Sequence, residues 1–112
     1  MSEPIRFEDL PGSERALKFE GKGHGAPGVS FFLSRHAPGE GPDLHRHPYE
    51  EVFIMYEGEA TFTVGDETIT AGPGEIVIVP PNTPHKFVNS GEGRIRQVGI
   101  HSSPEVVQED LE

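Results

Sequence analysis

The fold is decided by residues 45–65, which read HRHPYEEVFIMYEGEATFTVG. From Glu51 onward the segment is rich in aromatic and β-branched residues, and polar and apolar side chains alternate along it. Both features are typical of β-strands. The tripeptide GDE that begins at Gly65 lies between apolar runs and predicts a hairpin turn. We therefore expect β-structure here.

The sequence on both sides of this segment has the same character. Glycine and proline account for 14 and 11 of the 112 residues, which excludes a helical bundle because long helices do not survive such frequent breakers. We expect about seven to nine short strands, whose spacing indicates an all-β sandwich or barrel. Besides residues 51–65, the predicted strands lie in 29–35, 68–74, 75–81, 85–89 and 94–101.

The chain divides into three parts around one core, and its length fits a single domain. Residues 1–28 form an irregular N-terminal arm with a short strand at 15–20, residues 29–101 form the barrel core, and residues 102–112 form a C-terminal tail. Ser102 and Glu105 have the spacing of a capping box, so we expect a short helix in the tail.

Composition excludes several functions. The net charge is -10, which repels nucleic acids and anionic membranes, so we expect neither as a partner. Cysteine is absent, which excludes thiolate chemistry and disulfides. The N-terminus has no basic segment followed by an apolar one, and no stretch reaches the roughly 20 apolar residues of a membrane span. These features favour a cytoplasmic protein.

A cluster of metal-binding side chains is expected around His45, His47 and Glu51. In a continuous strand these residues share one face, and the following residues of the same parity are apolar, so that face points inward. Burying two imidazoles and a carboxylate together is costly unless a cation pairs them. His85, in a later strand with Phe87 and Asn89 on its face, is a fourth candidate. The alternative is a solvated histidine pair on an exposed strand.

These residues resemble the cupin superfamily, specifically its small single-domain members. The motif G(x5)HxH(x3)E(x6)G is matched by Gly39, His45, His47, Glu51 and Gly58. The motif G(x5)PxG(x2)H(x3)N is matched by Gly74, Pro80, His85 and Asn89, with Asn82 in place of the second glycine. Asparagine tolerates positive φ better than other non-glycine residues, so we expect this turn to be preserved.

The resemblance implies a double-stranded β-helix, or jelly roll, with His45, His47, Glu51 and His85 as ligands of one divalent transition metal ion. Imidazole and carboxylate ligands suit Fe, Mn, Ni, Zn or Cu. Small cupins often form dimers, and Val98 lies on a second apolar face that a partner copy would cover, so we expect a homodimer. The alternative is that the N-terminal arm covers this face.

Further side chains are candidates for catalysis or ligand binding. His101 is expected to face inward as a base or substrate contact, although a partly exposed histidine at a strand end is the simpler interpretation. Tyr49 is a candidate proton donor, against simple packing at the barrel mouth. Arg35 could bind an anionic group or form a surface ion pair. His24 and His36 are interpreted as loop residues without a role.

Three functions fit this sequence. The first is a metal-dependent enzyme that acts on a small molecule by dioxygenation, isomerisation or decarboxylation. The second is a non-catalytic module that binds or senses a small molecule or sugar. The third is a structural barrel with vestigial ligands, which the complete ligand set disfavours. One fold serves many chemistries, so turnover must decide between the first two.

Overall fold

The protein consists of two five-stranded antiparallel sheets, as described by a computed structural model that covers residues 3–112. A short 3-10 helix at Phe7–Asp9 precedes the strands. The strands are β1 (Ala16–Glu20), β2 (Ser30–Ser34), β3 (His45–Arg46), β4 (Glu51–Glu57), β5 (Ala60–Val64), β6 (Glu67–Ala71), β7 (Ile76–Val79), β8 (His85–Asn89), β9 (Arg96–His101) and β10 (Glu109–Asp110). One sheet has the strand order β1-β2-β9-β4-β7 and the other has the order β10-β3-β8-β5-β6.

The all-β prediction is confirmed, and the inner faces of the two sheets enclose one apolar core. Its largest members are aromatic rings. Phe53 of one sheet and Phe62 of the other have centroids 4.9 Å apart, and Phe62 and Phe87, paired within one sheet, have centroids 5.5 Å apart. Met55 and Ile95 are also fully buried. Burial of such side chains contributes about 1.5–3 kcal/mol each. The apolar residues that follow Glu51 at the same parity, Phe53 and Met55, therefore face the core as predicted.

Two turns adopt the predicted backbone. Gly65 has a φ of 58° in the hairpin between β5 and β6, where its partner strands pair over their full length. Asn82 has a φ of 61° and is the one non-glycine residue with positive φ among residues 3–112. Its amide donates a hydrogen bond to the carbonyl of His47 over 2.7 Å. Asparagine thus preserves the turn in place of glycine.

The strand assumed to run through His45, His47 and Glu51 is not continuous. β3 ends at Arg46, residues 48 and 49 form a bend, and β4 begins at Glu51. β3 and β4 belong to different sheets. The prediction that these side chains share one strand face was therefore wrong. They converge because the chain crosses from one sheet to the other between them.

The helix predicted after Ser102 is wrong. Residues 102–105 form bends, and β10 pairs with β3 through Asp110 and His45. A helix of this length is marginal in water, whereas the extended tail gains partners, including the bond from the Leu111 amide to the Leu44 carbonyl at 2.9 Å. No helix in the described part of the chain is long and apolar enough to cross a membrane.

Candidate metal centre

Four buried side chains meet between the two sheets, and they are those predicted from the sequence. His45, His47, Glu51 and His85 each offer one ligand atom, and these atoms all lie within 4.8 Å of one another. His45 and His85 are opposed across β3 and β8, while Glu51 enters from β4 in the other sheet. The structure thus brings the predicted set together from both sheets.

The three imidazoles are oriented by backbone carbonyls. Nδ1 of His45 donates to the carbonyl of Asp43 over 2.7 Å, and Nδ1 of His85 donates to that of Thr83 over 2.9 Å. Nδ1 of His47 donates to the carbonyl of Val107 in the tail over 2.8 Å. A proton on Nδ1 leaves the lone pair on Nε2, which is the arrangement that metal-ligating histidines commonly show.

The Nε2 atoms and the Glu51 carboxylate meet at one point, where Nε2 of His85 and Oε1 of Glu51 have the geometry of a hydrogen bond. Nε2 of His47 is 3.2 Å and Nε2 of His85 is 3.0 Å from Oε1 of Glu51. Nε2 of His47 is nevertheless buried without an aligned hydrogen bond. Lone pairs directed at a common point suit a cation better than they suit each other. The residues present therefore fit a metal ion.

The Glu51 carboxylate is held in its charged form. Burial alone would raise its pKa, but the imidazoles of His101, His47 and His85 outweigh burial and keep the pKa of Glu51 well below its usual range. Burial lowers the pKa of His45. A neutral imidazole and an ionised carboxylate are the forms that bind a metal.

His101 and Tyr49 form a chain of contacts behind Glu51. Nε2 of His101 is 3.0 Å from Oε2 of Glu51, and the Tyr49 hydroxyl is 2.7 Å from Nδ1 of His101. The Val107 amide donates to the same hydroxyl over 3.1 Å. His101 is 1% exposed, so its interpretation as a partly exposed histidine at a strand end was wrong. Tyr49 makes hydrogen bonds in addition to its packing contacts.

A cavity of about 220 Å³ opens beside the cluster. Its wall combines His45, His47, Glu51 and His101 with apolar side chains from both sheets. Ligand pockets in proteins typically combine a mostly apolar wall with a few convergent polar groups. The remaining lining residues are Ala16, Phe32, Ser34, His36, Pro42, Phe53, Phe87 and Gln108.

Sequence reasoning missed two residues of this site. His36 is 7% exposed and lines the cavity, although its position before Ala37-Pro38 suggested a loop residue without a role. Gly99 lies under the carboxylate, since a Cβ there would be 2.6 Å from Oε2 of Glu51. The alternation along β9 could have placed Gly99 inward. Arg35, by contrast, is exposed and lies outside the cavity.

The chain belongs to the cupin family, because the family model described as "Cupin domain" matches residues 32–100. Among curated relatives it is similar to auxin-binding protein 4 of Zea mays, with 33% identity over 67% of this chain and 41% of the relative. It is also similar to auxin-binding protein 1 of Arabidopsis thaliana, with 30% identity over 74% of this chain and 46% of the relative. The chain thus spans less than half the length of these relatives.

Solved structures support the same fold. An oxalate decarboxylase from Lactobacillus farciminis, in complex with formate, superposes with a TM-score of 0.82 at 22% identity, over 93% of this chain and 34% of that chain. Oxalate decarboxylase from Bacillus subtilis at pH 4.6 gives 0.84 at 20% identity, over 96% and 31% of the two chains. The expectation of a cupin barrel is confirmed.

Proposed function

We propose that this protein is a metal-dependent enzyme that acts on a small molecule, with chemistry of the dioxygenase, isomerase or decarboxylase type. The observation that carries this proposal is the position of the cluster in the wall of a cavity rather than in a closed core. A structural metal site is usually closed, whereas a catalytic one keeps a side open for substrate.

His45, His47, Glu51 and His85 would hold one ion, and Fe, Mn, Ni, Zn or Cu suits these ligands. Such an ion supplies Lewis-acid polarisation of a bound oxygen atom and, for a redox-active metal, electron transfer. Support comes from a structural neighbour, since Mn(II) centres are named for the oxalate decarboxylase of Bacillus subtilis.

His101 and Tyr49 have different roles in this proposal. His101 lines the cavity and contacts Oε2 of Glu51, so it would both steady the carboxylate and exchange a proton with a bound substrate. Tyr49 lies behind His101 and would act as a positioning residue, since its hydroxyl contacts Nδ1 of His101. Burial raises the pKa of Tyr49 and keeps its hydroxyl protonated.

The test of this proposal is turnover by protein of defined metal content. Elemental analysis of untagged protein comes first, followed by assays with each of the five metals restored. Catechols, thiols, diketones and small oxo acids are offered, with oxygen uptake and product formation as readouts. Metal-dependent product formation supports the enzyme, and loss of turnover in His101→Gln with metal retained supports the role of His101. Saturable binding without product from every class contradicts catalysis.

A second candidate function is binding without turnover. It is favoured by the relatives from Zea mays and Arabidopsis thaliana, which are named as auxin-binding proteins. The same metal and cavity would then hold a small ligand for sensing or transport. This alternative predicts tight saturable binding of a small acid or sugar and an unchanged ligand after prolonged incubation.

We further propose that the protein is a homodimer, because the outer face of one sheet is apolar and only partly covered, with Phe7 of the N-terminal arm beside Leu17, Leu33 and Val98. Ile76 and Ile78 on the edge strand β7 are 61% and 63% exposed. Aligned positions on the neighbouring strands continue them in two rows of apolar residues. A contiguous apolar face is typical of an interface. The rows are Phe19, Phe31, Ile100, Val52 and Ile78, and Leu17, Leu33, Val98, Ile54 and Ile76.

A further inference from the structure

The cavity beside the metal centre is also lined by a polar side chain that is not part of the cluster. His36 lies in the cavity wall, and its ring meets the ring of Phe87 edge-on with centroids 5.1 Å apart. Phe87 is two residues beyond His85 in β8, a step of about 7 Å along a strand. His36 therefore lies beside Phe87, which is the next inward-facing residue along β8 after His85.

The ring of His36 is held in place by its surroundings. Its backbone carbonyl accepts hydrogen bonds from Nδ2 of Asn89 over 2.9 Å and from the amide of Ile95 over 3.1 Å. The residue is 7% exposed. These contacts fix the backbone, and the edge of Phe87 restricts the ring, so the imidazole is presented to the cavity as a rigid group.

His36 differs from the other histidines of the site in its Nδ1 atom. Nδ1 of His45, His47 and His85 each donates to a backbone carbonyl, and Nδ1 of His101 contacts the Tyr49 hydroxyl. Nδ1 of His36 is buried and has no hydrogen-bond partner among residues 3–112. A buried unpaired polar atom is costly, and a phenylalanine would fill the same volume without that cost.

The charge around His36 defines what it can recognise. Burial lowers the pKa of His36, and the nearby Glu40 and Arg15 act on it in opposite directions. Those two side chains pair with each other over 3.0 Å. A neutral imidazole carries one N–H donor and one lone-pair acceptor, so it matches a hydroxyl or carbonyl group and lacks the positive charge that would favour a second carboxylate.

We propose that His36 is a specificity-determining residue that hydrogen-bonds the end of the substrate farthest from the metal. The substrate class is then a small carboxylate with a flat apolar body and an uncharged hydroxyl or carbonyl group at its opposite end. This inference rests on the proposed function, and it adds that the carboxylate of the substrate lies at the ion that His45, His47, Glu51 and His85 would hold.

The remaining lining fits such a molecule. Phe32, Phe53 and Phe87 lie in the cavity wall and suit the face or edge of a planar ring. The cavity volume of about 220 Å³ accommodates a single-ring acid.

The test uses the zinc-loaded protein, since zinc is not redox-active and allows binding to be measured without oxidation. The probes are benzoate, 3-hydroxybenzoate and 4-hydroxybenzoate, with affinities measured by calorimetry. We expect one hydroxybenzoate to bind wild-type protein about tenfold more tightly than benzoate, the effect of one net hydrogen bond. In His36→Phe this preference disappears, while the affinities for benzoate and zinc change less than about twofold.

Two variants serve as controls. His36→Gln keeps a donor and an acceptor and should retain part of the preference. His24→Phe changes an exposed histidine outside the cavity and should leave all affinities unchanged. Thermal unfolding of each variant establishes that it is folded.

The remaining outcomes separate this inference from the proposed function. Equal affinity of wild-type protein for benzoate and both hydroxybenzoates, or an undiminished preference in His36→Phe, overturns the role of His36 and leaves the metal centre intact. Failure of zinc to bind overturns the proposed function together with this inference, whereas failure of all three acids to bind the zinc-loaded protein overturns this inference alone.

Discussion

Gly99 sets the position of the Glu51 carboxylate. Its register partners Phe32 and Phe53 flank it on the neighbouring strands, and an added Cβ would lie 2.6 Å from Oε2 of Glu51. We predict that Gly99→Ala displaces this carboxylate and weakens metal binding by roughly ten- to a hundredfold, the range found when the support of a ligand is lost. Isothermal titration with zinc measures the effect.

Gly93→Ala is the matched control, because a Cβ there meets nothing within 4 Å. It should bind zinc as wild-type protein does. If Gly99→Ala also retains wild-type zinc affinity and stability, the carboxylate position does not depend on the missing side chain, and this account of Gly99 is wrong.

The sequence predicts the four metal-binding candidates of the site but not His36. The four metal-binding candidates were visible because their spacing is fixed within two short motifs. His36 carried no such signal, because its burial depends on contacts with Phe87 and Ile95, which lie far along the chain. Tertiary packing of this kind leaves no local pattern.

At the scale of elements, most strands and the hairpin turn followed from alternation and turn residues. Two predictions failed because pairing partners were distant. The crossing between sheets after His47 depends on the turn at Asn82, whose amide bonds to the His47 carbonyl. The extended tail depends on β3 as its partner. Local propensity cannot specify either contact.

The turn at Asn82 can be tested through its backbone. Its φ of 61° is strained for a β-branched residue, and its side chain is exposed, so burial does not complicate substitution. We predict that Asn82→Val lowers the free energy of unfolding by about 1–2 kcal/mol. Asn82→Gly serves as the control and should stay within a few tenths of wild type. Equal urea-unfolding midpoints for all three proteins would contradict a left-handed residue here.

The tail is predicted to support the metal centre as well as β3. The Val107 carbonyl accepts from Nδ1 of His47, and Gln108 lines the cavity. Deletion of residues 107–112 should therefore weaken zinc binding about tenfold or more, because His47 loses its orienting partner. Deletion of residues 111–112 alone keeps that carbonyl and should have a much smaller effect. Equal zinc affinity of the two truncated proteins would show that the tail does not orient His47.

Across the molecule, the two faces of the sheet that contains β4, β7 and β9 differ in character. The inner face supplies Glu51 and His101 to the site, and the outer face is apolar throughout its two aligned rows. We predict that Ile78→Lys converts a dimer into a monomer, because a charge that loses its solvent within an interface is costly. Sedimentation velocity measures the mass of each species.

Val88→Lys is the matched control, since Val88 is 39% exposed on a strand of the other sheet. It should leave the oligomeric state unchanged. A wild-type protein that sediments as a monomer at all concentrations would contradict the proposed homodimer.

The most direct test of the metal centre is the metal content and zinc affinity of wild-type protein compared with His47→Ala. We predict one tightly bound ion per wild-type chain and no stoichiometric binding by His47→Ala, with the barrel still folded by circular dichroism. His24→Ala, which changes an exposed histidine, should bind as wild type does. Full metal occupancy in His47→Ala would contradict the assignment of these four residues as the ligands.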